Sequence, residues 1–189
     1  MSIIRMAPYR YIFTFLLLTG IVVLSPAQLS APSQEYQVKA VFLFNFAQFV
    51  EWSPRAFPET ETPLIIGVLG EDPFGSYLDE TVHGEKINNH ALIVQRYKKV
   101  EDVKNCQILF INYKKKDQIK QVLENLKEKD VLTVGDATNF AQMGGVIGFF
   151  TEEGKIRIRV NLEVAKNSEL SISSKLLRVA EIVKAGSNN

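Results

Sequence analysis

The run Leu64-Ile-Ile-Gly-Val-Leu69 carries no polar side chain. A strand that is apolar on both faces has to be covered on both faces, which calls for layers above and below a sheet. Similar short runs recur at Gln107–Ile111, Val131–Val134 and Val146–Phe150. Between them lie segments with helical spacing: Ser76 to Val82, and Lys115 to Lys127 with Ile119, Val122, Leu123 and Leu126 on one face. Ile87 to Tyr97 alternates well enough to be a further strand. Strands that alternate with helices predict a mostly parallel sheet with helices on both faces, a three-layer α/β domain. Glu152-Glu-Gly154 reads as a hairpin turn into Lys155-Ile-Arg-Ile-Arg-Val160, whose period of two adds an antiparallel edge. Ser173 to Lys184 reads as a closing amphipathic helix.

Before the first strand, Glu35 to Trp52 (EYQVKAVFLFNFAQFVEW) has no internal Gly or Pro and is stopped by Ser53-Pro54. Val38, Val41, Phe42, Asn45, Phe49 and Trp52 share one face, with Leu43, Phe46 and Val50 widening it. A helix this apolar is wrapped by other elements or by a partner.

The N-terminal end reads differently. Arg5 and Arg10 precede Tyr11–Leu24, a nearly unbroken apolar stretch, and Ser25-Pro-Ala27 supplies small residues. These are the parts of a secretory signal peptide cut after Ala27. The stretch is about 14 residues, whereas a spanning helix takes roughly 20, so an uncleaved anchor fits less well. The chain then divides into a signal peptide at 1–27, a disordered leader at 28–34 and one domain at 35–186. The 22 Lys and Arg against 21 Asp and Glu of the full chain fall to 20 against 21 once Arg5 and Arg10 are removed. A balanced mature chain argues against a nucleic-acid partner, which calls for a basic excess.

Few constellations in the sequence carry chemistry. Gly70-x4-Gly75-Ser76 sits between a strand and a helix, but a phosphate-cradling loop needs a Lys after the second glycine, and Ser76 is followed by Tyr77. His83 and His90 flank a turn with no cysteine nearby, so no metal site is expected. Cys106, the only cysteine, lies in an expected buried strand and has no intrachain partner for a disulfide. Asp72 and Asp136 fall at the carboxyl ends of strands, where open α/β sheets bind ligands. They admit an acid/base pair, although helix N-capping explains both more simply. With Phe74 they form the candidate site of an alternative reading, a small-molecule sensor. Lys155, Arg157 and Arg159 read as a solvated, edge-protecting face or as a contact with acidic groups of a partner. No catalytic residue and no cofactor is assigned, and the chain is not expected to be an enzyme.

Several stretches together resemble the YfiR family of small periplasmic proteins. They are Val38-Lys-Ala-Val-Phe-Leu-Phe-Asn-Phe-Ala-Gln-Phe-Val-Glu-Trp52, Ile66-Gly-Val-Leu-Gly-Glu-Asp-Pro-Phe-Gly75, Cys106-Gln-Ile-Leu-Phe110, Leu132-Thr-Val-Gly-Asp136, Phe140-Ala-Gln-Met-Gly-Gly145, Arg159-Val-Asn-Leu-Glu-Val-Ala165 and Leu170-Ser-Ile-Ser-Ser-Lys-Leu-Leu177. Their order and spacing span about residues 36–184. The resemblance implies an α/β fold, a periplasmic address and no catalysis. It also implies a repressor that binds the periplasmic sensory part of an inner-membrane diguanylate cyclase, restraining cyclic-di-GMP signalling and biofilm formation. An outer-membrane lipoprotein sequesters such repressors, and relatives form homodimers and carry disulfides that stabilise their fold. A single cysteine excludes an internal disulfide here, and leaves an intermolecular disulfide or a reactive thiol as the alternatives to a plain core residue. For a binding protein of this kind the aromatic groups around the end of the first helix, Phe46, Phe49, Trp52 and Phe57, are the candidate partner-binding residues.

Overall fold

The computed structural model describes residues 33–186. The signal peptide, its cut after Ala27 and most of the leader lie outside the described residues. Gln34, placed in the leader on sequence grounds, already belongs to the first helix, α1 (Gln34–Phe49).

The core of the fold is an eight-stranded sheet. Its members in chain order are β2 (Leu64–Gly70), β3 (Lys86–Ile87), β4 (His90–Tyr97), β5 (Ile108–Asn112), β6 (Leu132–Gly135), β7 (Ile147–Glu152), β8 (Lys155–Asn161) and β10 (Ala180–Val183). The spatial order is β10-β8-β7-β6-β5-β2-β4-β3. The pairs β4–β2, β2–β5, β5–β6, β6–β7 and β8–β10 are parallel, and β7–β8 and β3–β4 are antiparallel. A second, two-stranded sheet joins β1 (Val50–Glu51) to β9 (Ser171–Ile172).

Side-chain alternation along the strands sorts the core into two layers. Ile66, Val68, Ile108, Phe110, Leu132, Val134, Phe149 and Val160 face α1 and α2 (Ser76–Val82). Ile65, Leu69, Leu109 and Ile111 face α3 (Lys116–Asn125), where Ile119, Val122 and Leu123 close the opposite side. The three layers expected from the sequence are therefore present. Each fully buried Leu, Ile or Phe contributes on the order of 1.5–3 kcal/mol.

Three details differ from expectation. Residues 173–184 form a one-turn helix, α5 (Ser174–Leu177), and then the strand β10. Val179-Ala-Glu-Ile-Val183 is rich in β-branched residues, and a ladder on β8 satisfies backbone groups that a short isolated helix would hold poorly. As a result β8 is not at the edge: β10 lies outside it, and Arg159 Nε donates to Glu181 of β10 at 3.0 Å rather than to a partner. The first helix stops at Phe49, because Val50 and Glu51 pair with Ile172 and Ser171.

The third difference concerns the face that α1 buries. Lys39, Ala40, Leu43, Phe46 and Ala47 are buried, while Val38 and Val41 are 40 % and 42 % exposed. A helix with apolar residues all round carries little periodicity from which to choose a side. Small side chains at Ala40 and Ala47 let the helix approach the sheet, and Lys39 finds a counter-ion beneath it.

Candidate functional site

Two places collect the residues singled out in the sequence. The first is the carboxyl end of the parallel strands. Asp72 follows β2, and its Oδ1 accepts the N–H groups of Phe74 (2.8 Å) and Gly75 (3.3 Å), fixing the loop that enters α2. Its Oδ2 accepts Arg96 Nε at 2.9 Å, and the same guanidinium reaches Asp79 Oδ1 at 2.8 Å and the Gly75 carbonyl at 2.7 Å. Hydrogen bonds from Arg96 hold the Asp79 carboxyl below its ordinary range against the opposing pull of burial. Asp72 thus braces the loop ahead of α2 and does not cap the helix itself, whose N-cap is Gly75, so helix N-capping does not describe its role.

Asp136, after β6, is not a cap. Its Oδ2 accepts Tyr36 Oη at 2.9 Å and Lys39 Nζ at 2.7 Å, both from α1. Lys39 is 3 % exposed and also meets Glu35. Burial first, and then the Asp136 charge, pushes the Tyr36 hydroxyl well above the ordinary tyrosine value. Phe74 is wholly buried, edge-on to Tyr36 at 5.6 Å and to Phe110 at 4.9 Å. β5 separates β2 from β6, which puts the two strand ends on the order of 10 Å apart. Asp72 and Asp136 therefore each bind a cation of the chain itself and are not a paired acid and base. Tyr36 and Lys39 of the first helix cover the Asp136 carboxylate at the end of β6.

The second place is the far end of α1. Phe46 is wholly buried, stacked on Phe149 at 6.0 Å, and so is core rather than contact surface. Phe49, Trp52 and Phe57 are half-buried. Trp52 Nε1 donates to the Gln107 carbonyl at 3.1 Å and its ring meets Phe57 edge-on at 6.4 Å. Phe57 in turn stacks on the His90 imidazole at 4.0 Å, and His90 Nδ1 lies 2.6 Å from the Thr62 carbonyl. An open groove of about 310 Å³ runs along this cluster, lined by Ala47, Val50, Trp52, Phe57, Leu64 and His90. Aromatic rings half in contact with solvent beside an open groove of mixed polarity are a chemistry suited to protein contacts. Of the two histidines that flank the turn, His83 is exposed and His90 is half-buried.

Three contributors were missed in the sequence. Gln107 is buried, and its carboxamide accepts Ile65 N–H at 2.8 Å and donates to the Ala56 carbonyl at 2.8 Å, tying the groove's loop to β2. Arg96 fastens the β2–α2 loop. Lys39 is the one charged residue within the buried face of α1, and that position was the available signal. Cys106 is buried, its Sγ donates to the Ile108 carbonyl at 3.0 Å, and burial pushes its thiol up to about 12.

The fold and these two places define a three-layer α/β domain whose first helix is tied to the end of β6 through Asp136. The model of the YfiR/HmsC-like family matches residues 36–181, and the chain belongs to that family of periplasmic regulatory proteins. A comparison with curated proteins gives no match. Among the described residues no helix is long and apolar enough to cross a membrane.

Proposed function

We propose that this protein is a non-enzymatic periplasmic repressor that binds the sensory part of an inner-membrane diguanylate cyclase and restrains cyclic-di-GMP signalling and biofilm formation. The observation that carries this reading is the family match over residues 36–181, nearly the whole of the described domain. The aromatic groove supports a contact role: Trp52 and Phe57 are held by Gln107 and His90, so a partner meets them without first ordering them. Phe49, also half-buried, is proposed to extend the contact. The same reading brings a second copy of the chain and, from the outer membrane, a lipoprotein that competes for the repressor.

The mechanism is a population shift. A protein that binds only the inactive conformation of the cyclase biases the equilibrium by its differential affinity and performs no chemistry. Crosslinking in intact cells followed by mass spectrometry tests it. Capture of an inner-membrane cyclase, with cyclic-di-GMP rising on deletion, is the expected result, and Trp52→Ala with Phe57→Ala weakens capture at least tenfold. No reproducible capture and an unchanged nucleotide level would overturn the reading. The small-molecule sensor at Asp72, Phe74 and Asp136 ranks second, since internal cations already occupy both carboxylates.

A further inference from the structure

β10 is the outermost strand of the large sheet, and among the described residues it pairs only with β8. The β8–β10 ladder begins at Ala180↔Ile158, so Lys155, Ile156 and Arg157 of β8 run on past its start. Edge strands of soluble proteins are commonly guarded against further pairing by Lys or Pro. Ala180-Glu-Ile-Val183 has neither, and its one charge, Glu181, is taken by Arg159. The two most exposed large apolar side chains of the described residues stand here instead: Val179, just before the strand, at 60 % and Ile182 at 49 %.

Beside them lies an open groove of about 370 Å³. Its apolar lining is Phe42 of α1, Ile156 and Ile158 of β8, and Val179. Its charged lining is wholly basic: Lys155, Arg157 and Arg178. Arg157 meets Glu152 at 2.9 Å, but Lys155 and Arg178 meet no acid among the described residues. Alternation along the strands sorts the two kinds of side chain. Ile156, Ile158, Ala180 and Ile182 lie on the α1 side of the sheet, and Lys155 and Arg157 lie on the other.

We infer that β10 and the overhang of β8 take up an extended segment of a protein partner, in which apolar and acidic residues alternate, as a further strand of the sheet. Main-chain hydrogen bonds to the open edge supply the affinity, and alternate side chains select the segment. The apolar residues of such a strand lie against Ile182 and the groove. Its acids lie on the opposite face, where Lys155 and Arg157 stand, and opposite charges on neighbouring strands stabilise the pairing. A basic segment would add to an already basic rim. A second copy of this chain would offer its own β10, whose single acid Arg159 already holds, and would leave Lys155 and Arg178 unmatched. The aromatic groove lies at the opposite edge of the sheet, with Ile87 of β3 and His90 of β4 in its lining. The chain can therefore hold two partners at once, and either contact can fail alone.

Backbone-amide NMR on the purified protein tests it, with a short blocked peptide that alternates glutamate and valine as the probe. The controls are a peptide that alternates lysine and valine, and one of the probe's composition with its glutamates in a single block. The expected result is saturable binding of the probe alone, with slowed hydrogen exchange at amides within Ala180–Val183 and weaker binding as salt rises. Val179→Lys and Ile182→Lys each guard an exposed edge and should weaken binding at least tenfold, with melting unchanged. Should Ile182→Lys fail to fold, Arg178→Glu, outside the strand, provides the same comparison. Binding of the lysine peptide, undiminished binding by the variants, or binding without slowed exchange in β10 overturns the inference. So does absence of probe binding, including the case in which sedimentation shows a dimer that Val179→Lys dissolves, which would make a second copy the occupant.

Discussion

A β-carbon on Gly145 would stand 2.1 Å from Phe140 Cε1, and one on Gly135 would stand 2.5 Å from Cδ2 of the same ring. The buried Phe140 ring therefore occupies the space that side chains at two glycines would need. Gly145→Ala is expected to cost about 2–3 kcal/mol through overpacking, and Phe140→Leu in that background to return part of the loss. Urea midpoints of the two single variants and the double check this. Strictly additive costs would show that the ring and the glycine do not share the space.

Lys39 and Asp136 form a second coupled pair. Asp136→Ala leaves a buried ammonium with Glu35 alone and is expected to cost about 3 kcal/mol. Joint replacement, Lys39→Met with Asp136→Leu, removes both charges and should cost less than Asp136→Ala in the same denaturant assay. Tyr36 supplies a spectroscopic readout. Its ionisation is shifted upward when folded, so its contribution to stability is whole below the ordinary tyrosine range and is lost as pH climbs through that range toward the shifted value. In Asp136→Ala the Tyr36 phenol should ionise at lower pH than in the parent, although burial keeps it above a free tyrosine.

The Arg96 clamp predicts a loss on the acid side. Asp79 has a folded-state value below its unfolded one, so its contribution is present at and above the ordinary carboxylate range and disappears as pH falls toward the shifted value. The guanidinium is partly exposed, and the loss is discounted for solvent screening. Arg96→Met should lower stability by about 1 kcal/mol at neutral pH and by progressively less below the carboxylate range. A variant whose deficit stays constant with pH would exclude Asp79 as the cause.

Cys106 should be inert in the native state. A thiol displaced to about 12 by burial is almost wholly protonated at neutral pH. Iodoacetamide is expected to label it only after denaturation, and non-reducing gels should show no disulfide-linked dimer. Rapid labelling of the native protein would contradict the buried position.

The layers of this fold are legible in the sequence because parallel strands buried on both faces leave unbroken apolar runs such as Leu64–Leu69. The Gly154 hairpin is equally plain: Glu153 and Gly154 both take positive φ, as a tight turn between β7 and β8 requires. The last strand was not legible. Ala180–Val183 is four residues long, and what makes it a strand is the free side of β8, which periodicity cannot see. The packing face of α1 was hidden for a related reason, since its side is chosen by a carboxylate almost a hundred positions away. Of the proposed contact residues, Trp52 and Phe57 line the groove, and Phe49 is half-buried outside its lining. Phe46 is wholly buried, because helix geometry turns it inward with Leu43 and Ala47.

The pairing of Val50 and Glu51 with Ile172 and Ser171 bears on the order in which the molecule can be built. The most apolar helix leaves the ribosome before any strand it will cover, and the segment that fastens its end is among the last to be made. Contacts so distant along the chain are slow to form, because closure entropy is spent before any contact rewards it. Until the last segments are made, Val50 and Glu51 at the end of α1 have no strand to pair with. Loss of even the final twenty residues should therefore be felt at the opposite terminus, where the end of α1 would lose its strand partner while Phe149 and Asp136 still hold the rest of the helix.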